Sequence, residues 1–412
     1  LFVWSDDPFS LMERSEEMLT RRALLKHSAL LSLVPVVPEF LSRTSRAAEP
    51  ERDGRVLVVL QLDGGNVGIN TVVPFGDEHY AKYRRELKLD SDKVLKLGEG
   101  VGLHPAMRDA ASLVESGRLA IIQGVGYPNP DRSHFESMNI WHAARPDHRK
   151  EVASTGWLGR ALDTTPRGDS PAIVHVGDGN LPAALFSRRA ISTSFDTAAD
   201  LALDLPVSAG GTPPGDESLA AFVNRTVTSA YATAAELEAA TARGADASAK
   251  YPETELSRRL SLVAKSIKSN APAKVYYLVQ SGYDTHSLQV PTQSRLLREL
   301  SGAMKAFLDD LAANKLADRV VVMAFSEFGR RPEENGSQGT DHGTAGPLFV
   351  AGPSVQAGLL GKTPLLGDLE NGDLKWSTDF RAVYATLLDR WLNLPADEIL
   401  GQAFDRLPIL RA

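Results

Sequence analysis

The chain predicts an α/β fold in which a mostly parallel central sheet is flanked by helices. Four apolar runs, "RVLVVLQLD", "RLAIIQGVG", "KVYYLVQSG" and "RVVVMAF", are nearly continuous rather than alternating, the pattern of strands covered on both faces. Stretches that read as helix lie between strand-like runs, and strands alternating with helices give a parallel sheet. Polar residues recur just past the ends of these runs, where loops leave the carboxyl edge.

The totals suit this reading. The 412 residues are 43% hydrophobic and 24% charged with a formal net charge of -7, ample for a large core. No basic stripe with interleaved aromatics is present, which argues against a nucleic-acid partner. The absence of cysteine excludes disulfides, thiolate nucleophiles and Cys-based zinc sites. A metal would therefore rest on Asp, Glu, His, Asn or hydroxyl groups.

In chain order, the first feature is an address. "MLTRRALLKHSALLSLVPVVPEFLSRTSRAAEPE" starts at Met18, carries Arg21 and Arg22 before an apolar stretch, and reaches the small residues Ala47 and Ala48. That is the pattern of a twin-arginine export signal, with residues 1–17 upstream of it. The alternative is a basic amphipathic helix packed on the fold. The apolar run holds Pro35 and Pro38 and is short for a membrane span, so no transmembrane segment is expected after cleavage. The expected organisation is residues 1–48 as upstream residues plus signal and 49–412 as one domain. The expected location is periplasmic or extracellular, reached through the twin-arginine machinery.

The mature chain opens on the strand ending at Asp63 and two glycines. A strand near residues 119–123 follows, then a Gly/Pro loop carrying Ser133 and His134. "PAIVHVGD" is a short strand, and residues 216–269 read as mostly helical. "KVYYLVQSGYDTHS" places Asp284 and His286 in one loop. A helix of roughly twenty residues is expected from Arg295. After "RVVVMAF", Glu327 and His342 bracket a loop that also holds Arg330 and Asp341 and runs into the strand "PLFVAG". "DFRAVYATLLDRWLNL" reads as an amphipathic helix.

Asp63, Ser133, Asp284 and Glu327 thus each follow a strand, at the edge where open α/β sheets bind ligands. Two imidazoles with three carboxylates and no thiol suit a hard or borderline divalent cation, one or a pair. Each residue also has a plain structural reading. Asp63 before two glycines makes an Asx turn, Asp284 and His286 make a loop pair, Glu327 and Arg330 make an ion pair, and Asp341 caps its own segment.

"LQLDGGN", "GVGYPNPDRSHFESMNIW", "GYDTH", "FSEFGRR", "ENGSQGTDHGTAGPLFVAG" and "TDFRAVYATLLDRWL" resemble the bacterial export family known as domain-of-unknown-function family 1501, from about Arg55 to Leu407. That family is similar to the alkaline phosphatase and sulfatase superfamily. The resemblance implies an alkaline phosphatase-like sheet with metal at its strand ends. It implies Asp63, Asp284, His286 and His342 as metal ligands, with Glu327 where the superfamily has an Asp-His pair. "TDHG" is also similar to an internal Asp-His-Gly motif, which adds Asp341. Ser133 resembles a nucleophile serine, although it also fits a cap on a helix starting at Phe135. The family reads Gly-Gly-Asn-Asp after the first aspartate, whereas this chain has Val67 at the last position. Asn66 offers a weaker amide oxygen, and Asp77 is too distant to substitute.

The expected function is an exported metal-dependent hydrolase of phosphate or sulfate esters, acting on an anionic small molecule or glycan ester. Ser133 is the candidate nucleophile, His134 an acid/base or positioning group, and Arg330 an anion clamp. The alternative is a non-catalytic exported binding protein on the same scaffold, recognising an anionic glycan or a partner protein.

Overall fold

The computed structural model describes residues 54–145, 154–165, 172–188, 192–197, 247–271 and 273–411, all within the compact unit Pro50–Ala202 and Ala232–Ala412. The expected export signal and most of the helical stretch 216–269 lie outside the described residues, apart from the helix Glu255–Lys268.

The centre is a nine-stranded sheet. In spatial order its strands are Gly358–Leu360, Leu119–Gly126, Gly346–Ala351, Val320–Phe325, Val56–Asp63, Ala273–Ser281, Ala172–Val176 and Ser192–Phe195, with Thr378–Asp379 paired beside Leu119–Gly126. Every pairing is parallel except those of Gly346–Ala351, which is antiparallel to both neighbours. The α/β fold with a mostly parallel central sheet is therefore the one the apolar runs predict.

Val56–Asp63 explains why the runs are continuous. Val56, Val58, Leu60 and Leu62 enter one core with Val263, Leu297 and Phe307 from the helices Glu255–Lys268 and Gln289–Ala313. Leu57 and Val59 enter the opposite core with Trp141, Trp157 and Tyr384. Successive side chains point to opposite faces, so two-sided burial favours an apolar residue at nearly every position, Gln61 being the hydrogen-bonded exception. Each such side chain contributes about 1.5–3 kcal/mol through burial.

Two boundaries differ from the sequence expectation. The helix expected from Arg295 starts at Gln289, six residues earlier. Pro291 lies in its first turn, where the backbone N–H has no intrahelical partner, so the proline does not interrupt it. The helix Phe380–Thr386 is buried throughout and continues as a π-turn over Leu387–Trp391. Only past Leu388 do its residues reach solvent, so it is a core helix rather than an amphipathic one. Among the described residues no helix is long and apolar enough to cross a membrane.

Candidate metal centre

The carboxyl edge of the sheet gathers five chain segments. Asp63 ends its strand, and Gly64 and Gly65 then turn the chain at φ +118° and +76°. A side chain at either would collide: a Cβ at Gly64 would lie 2.4 Å from the Asp284 nitrogen, and one at Gly65 2.4 Å from the Phe328 ring. The two glycines let the first loop lie directly against the loops of Asp284 and Glu327.

Three ligand-type atoms meet there. His134 Nε2 lies 3.0 Å from His342 Nε2, and Asp284 Oδ1 lies 3.5 Å from the first and 3.3 Å from the second. The group fits within 4.8 Å. His286 stands against one edge of it, its Nε2 2.8 Å from His342 Nε2 and 3.0 Å from Asp284 Oδ1. A tetrahedral cation with bonds of about 2.0–2.1 Å holds its ligand atoms about 3.3–3.4 Å apart, so the triad has the size of one face of such a site.

The outer ring nitrogens settle which inner atoms carry lone pairs. His342 Nδ1 donates to the Arg132 carbonyl at 2.8 Å, and His134 Nδ1 donates to Glu327 Oε1 at 2.7 Å. His286 Nδ1 faces Asp341 Oδ1 at 3.4 Å. An imidazole whose Nδ1 proton is held by an oxygen presents a bare Nε2 in its neutral form. The two bare nitrogens of His134 and His342 and a carboxylate oxygen then face one another, an arrangement that repels itself unless a cation or protons lie between. Metal-binding histidines ordinarily have such oxygen partners behind them. The donor set therefore fits a divalent cation of the borderline kind that takes imidazole and carboxylate.

Charges around the set are uneven. Burial holds the His342 imidazole below its ordinary range, while the hydrogen bond to Glu327 raises that of His134. Burial pushes the Asp284 carboxyl up, but the charge and hydrogen bond of Arg330, with His134 and His286, bring it below the usual range. Burial, then the Glu327 carboxylate, holds Asp63 above it.

The structure brings Asp284, His286 and His342 together and adds His134 to them. Glu327 and Asp341 stand one bond further out. Glu327 is fully buried, its Oε1 accepting from Gly64 N at 3.0 Å and its Oε2 from Ser326 Oγ at 2.9 Å. Asp63 accepts from Gln61 Nε2 at 3.1 Å and lies within electrostatic reach of Glu327, His134 and Asp284. Asn66 is buried with its Oδ1 facing the Thr71 hydroxyl at 2.9 Å, and Val67 is buried beside it. Ser133 is exposed at the N-cap of the helix His134–Ala143, but its side chain makes no capping hydrogen bond.

Arg330 is 1% exposed. Its Nε donates to Gly65 O at 3.0 Å, Nη1 to Thr340 O, and Nη2 to Gly64 O at 3.0 Å and to Asp284 Oδ1. Four of its five N–H groups are thus engaged inside the protein. Sequence reasoning did not foresee the Arg132 carbonyl, the Ser326 hydroxyl or the Phe328 ring, which lies 4.9 Å from His134 and 5.1 Å from His342 between centroids. None carries a signal in residue type. The histidine directly after Ser133 was the available clue to His134.

Comparison with known proteins yields a family and distant structural likenesses. The family described as "Protein of unknown function (DUF1501)" matches residues 110–400. No curated protein sequence matches significantly. A protein in the alkaline phosphatase superfamily from Vibrio parahaemolyticus is similar at 10% identity and TM-score 0.39, over 84% of this chain and 69% of its own. The lipoteichoic acid synthase LtaP from Listeria monocytogenes is similar at 10% identity and TM-score 0.38, over 78% and 74%. The PsFucS1 sulfatase from Pseudoalteromonas sp. is similar at 10% identity and TM-score 0.37, over 87% and 73%.

Proposed function

For this chain, which belongs to the DUF1501 family, we propose the function of an exported metal-dependent hydrolase of phosphate or sulfate esters. One observation carries the reading: the inward-facing Nε2 atoms of His134 and His342 with Asp284 Oδ1, each imidazole held from behind by an oxygen. His134, Asp284 and His342 hold the cation, with His286 beside them. A divalent cation bound there supplies Lewis acidity toward an ester oxygen.

The chain's own residues do the rest. Glu327 and the Arg132 carbonyl fix the two ring orientations, and Asp341 does the same for His286. Arg330 ties Asp284 to the first loop and acts as a positioning residue through it. Ser133, exposed and uncapped one residue before His134, is the nucleophile. His134 is a ligand in this reading and not its base, because both of its nitrogens are engaged. Export rests on residues 18–48.

A second reading has one observation in its favour. Among the described residues no hydrogen bond joins the Ser133 hydroxyl to a base. A non-catalytic protein that binds an anionic ester or a partner through the same cation is consistent with that.

Metal analysis of the full chain purified without chelator, followed by turnover of an aryl phosphate and an aryl sulfate, tests both. Metal with turnover supports the hydrolase. Metal without turnover of either ester favours the binding protein, and a metal-free chain that takes up no added zinc or manganese ends both.

A further inference from the structure

Two arginines on the rim of the metal centre converge on one buried acid. Arg132 Nη1 lies 3.2 Å from Asp373 Oδ2, and Arg331 Nε lies 3.3 Å from Asp373 Oδ1. The Asp373 side chain is only 6% exposed, whereas those of Arg132 and Arg331 are 47% and 35% exposed. The carboxylate therefore sits behind the guanidiniums and leaves their outer faces open. Among the described residues Arg132 makes only that side-chain hydrogen bond. Arg331 is close enough for an ion pair but its Nε is not aligned for a hydrogen bond.

Both arginines adjoin residues of the candidate metal centre in the chain. The Arg132 carbonyl holds His342, and Ser133 and His134 follow it directly. Arg331 is the neighbour of Arg330, which holds Asp284. Asp373 lies in a short strand paired with Leu369–Glu370, and the carbonyl of the next residue, Leu374, accepts from the Thr344 hydroxyl two residues past His342. Asp341 is also within reach of Arg331, but Asn335 and His286 already engage it. Two cations thus meet one acid, leaving a positive surplus on a chain whose net charge is -7. Guanidiniums paired from behind with a carboxylate are suited to gripping an oxyanion with their remaining N–H groups.

We infer that Arg132 and Arg331, anchored by Asp373, bind a second anionic group of the substrate, so that the site takes esters bearing another phosphate, sulfate or carboxylate beyond the one at the metal. This rests on the hydrolase reading for the ester itself. It also gives the anion-gripping role to side chains with open donors, in place of Arg330.

The test is equilibrium binding to the zinc-loaded full chain by calorimetry, using inorganic phosphate and a series of short alkane bisphosphates of increasing length. The best-fitting bisphosphate is expected to bind roughly tenfold or more tighter than phosphate, about 1.4 kcal/mol. Arg132→Gln with Arg331→Gln should remove that advantage, with zinc content and the unfolding midpoint as controls for the fold. Asp373→Asn, which keeps both guanidiniums but loosens their anchor, should fall between. A series in which no bisphosphate exceeds phosphate, or a double variant that keeps the advantage, overturns the inference. Because binding is read rather than turnover, a chain that prefers the bisphosphate yet hydrolyses no ester keeps the arginine site and loses the hydrolase.

Discussion

His134 and His342 face each other through their Nε2 atoms at 3.0 Å, while their Nδ1 atoms point away to Glu327 and to the Arg132 carbonyl. With both outer nitrogens donating, neither ring has a proton left to place between them in its neutral form. A cation or a proton between them would remove that conflict.

His342 and Asp284 each lie against every other member of the set, so His342→Ala should lower metal affinity more than His286→Ala. Retention of bound zinc by that variant through dialysis against chelator would end the assignment. Glu327→Gln should keep one metal per chain but weaken it by about 10–100-fold, the usual cost of losing a carboxylate behind a ligating histidine. Competition titrations with a chromophoric chelator measure both.

Arg330→Lys keeps the charge but not the fork that reaches Gly64 O, Gly65 O and Thr340 O. A loss of about 2–4 kcal/mol in urea unfolding is expected, because buried carbonyls are left without donors. Metal affinity should fall with it, since Asp284 loses its tether.

Ser133→Ala should remove ester turnover while leaving metal content unchanged, as the Ser133 side chain caps nothing. Turnover within about tenfold of the unaltered chain would exclude Ser133 as the nucleophile, because losing a nucleophile costs several orders of magnitude.

How much of this was legible depends on what pattern encodes. Val56–Leu62 and Val320–Phe325 were readable as strands because two-sided burial leaves an unbroken apolar run. The gathering of Asp284, His286 and His342 was readable because polar residues at strand ends share one edge. Side-chain direction was not readable. Whether Glu327 faces a metal or the back of His134 depends on loops turned by Gly64 and Gly65, whose φ values no periodicity records. Arg330 and Arg331 are adjacent and both charged, yet one is buried against carbonyls and the other reaches the surface. Only their places along the short strand Arg330–Glu334 separate them.

Three buried histidines set a pH dependence. Burial pushes His104, His142 and His175 each down to about 4. Their folded values lie below the unfolded value of about 6.5, so the unfolded chain binds the extra protons between those limits. Stability from these groups is complete above about 6.5 and declines as pH falls toward 4, by at most about 1.4 kcal/mol per unit for each. Asp63 and Asp373, held above the carboxylate range by burial, act in the opposite sense at the acid end. Urea midpoints should drop between pH 7 and pH 5, and His142→Gln should flatten that slope. An unchanged slope in the variant would show that His142 is not a source.

Val56–Asp63, the first strand of the sheet, lies between Ala273–Ser281 and Val320–Phe325, partners roughly two hundred residues or more downstream. During synthesis this apolar strand leaves the ribosome long before either partner exists. Pairings so distant in sequence form slowly, and an unpaired apolar strand is open to wrong association while it waits. Newly made chain should therefore depend on holding by chaperones until Phe325 has emerged, and fragments ending before Val320 should aggregate.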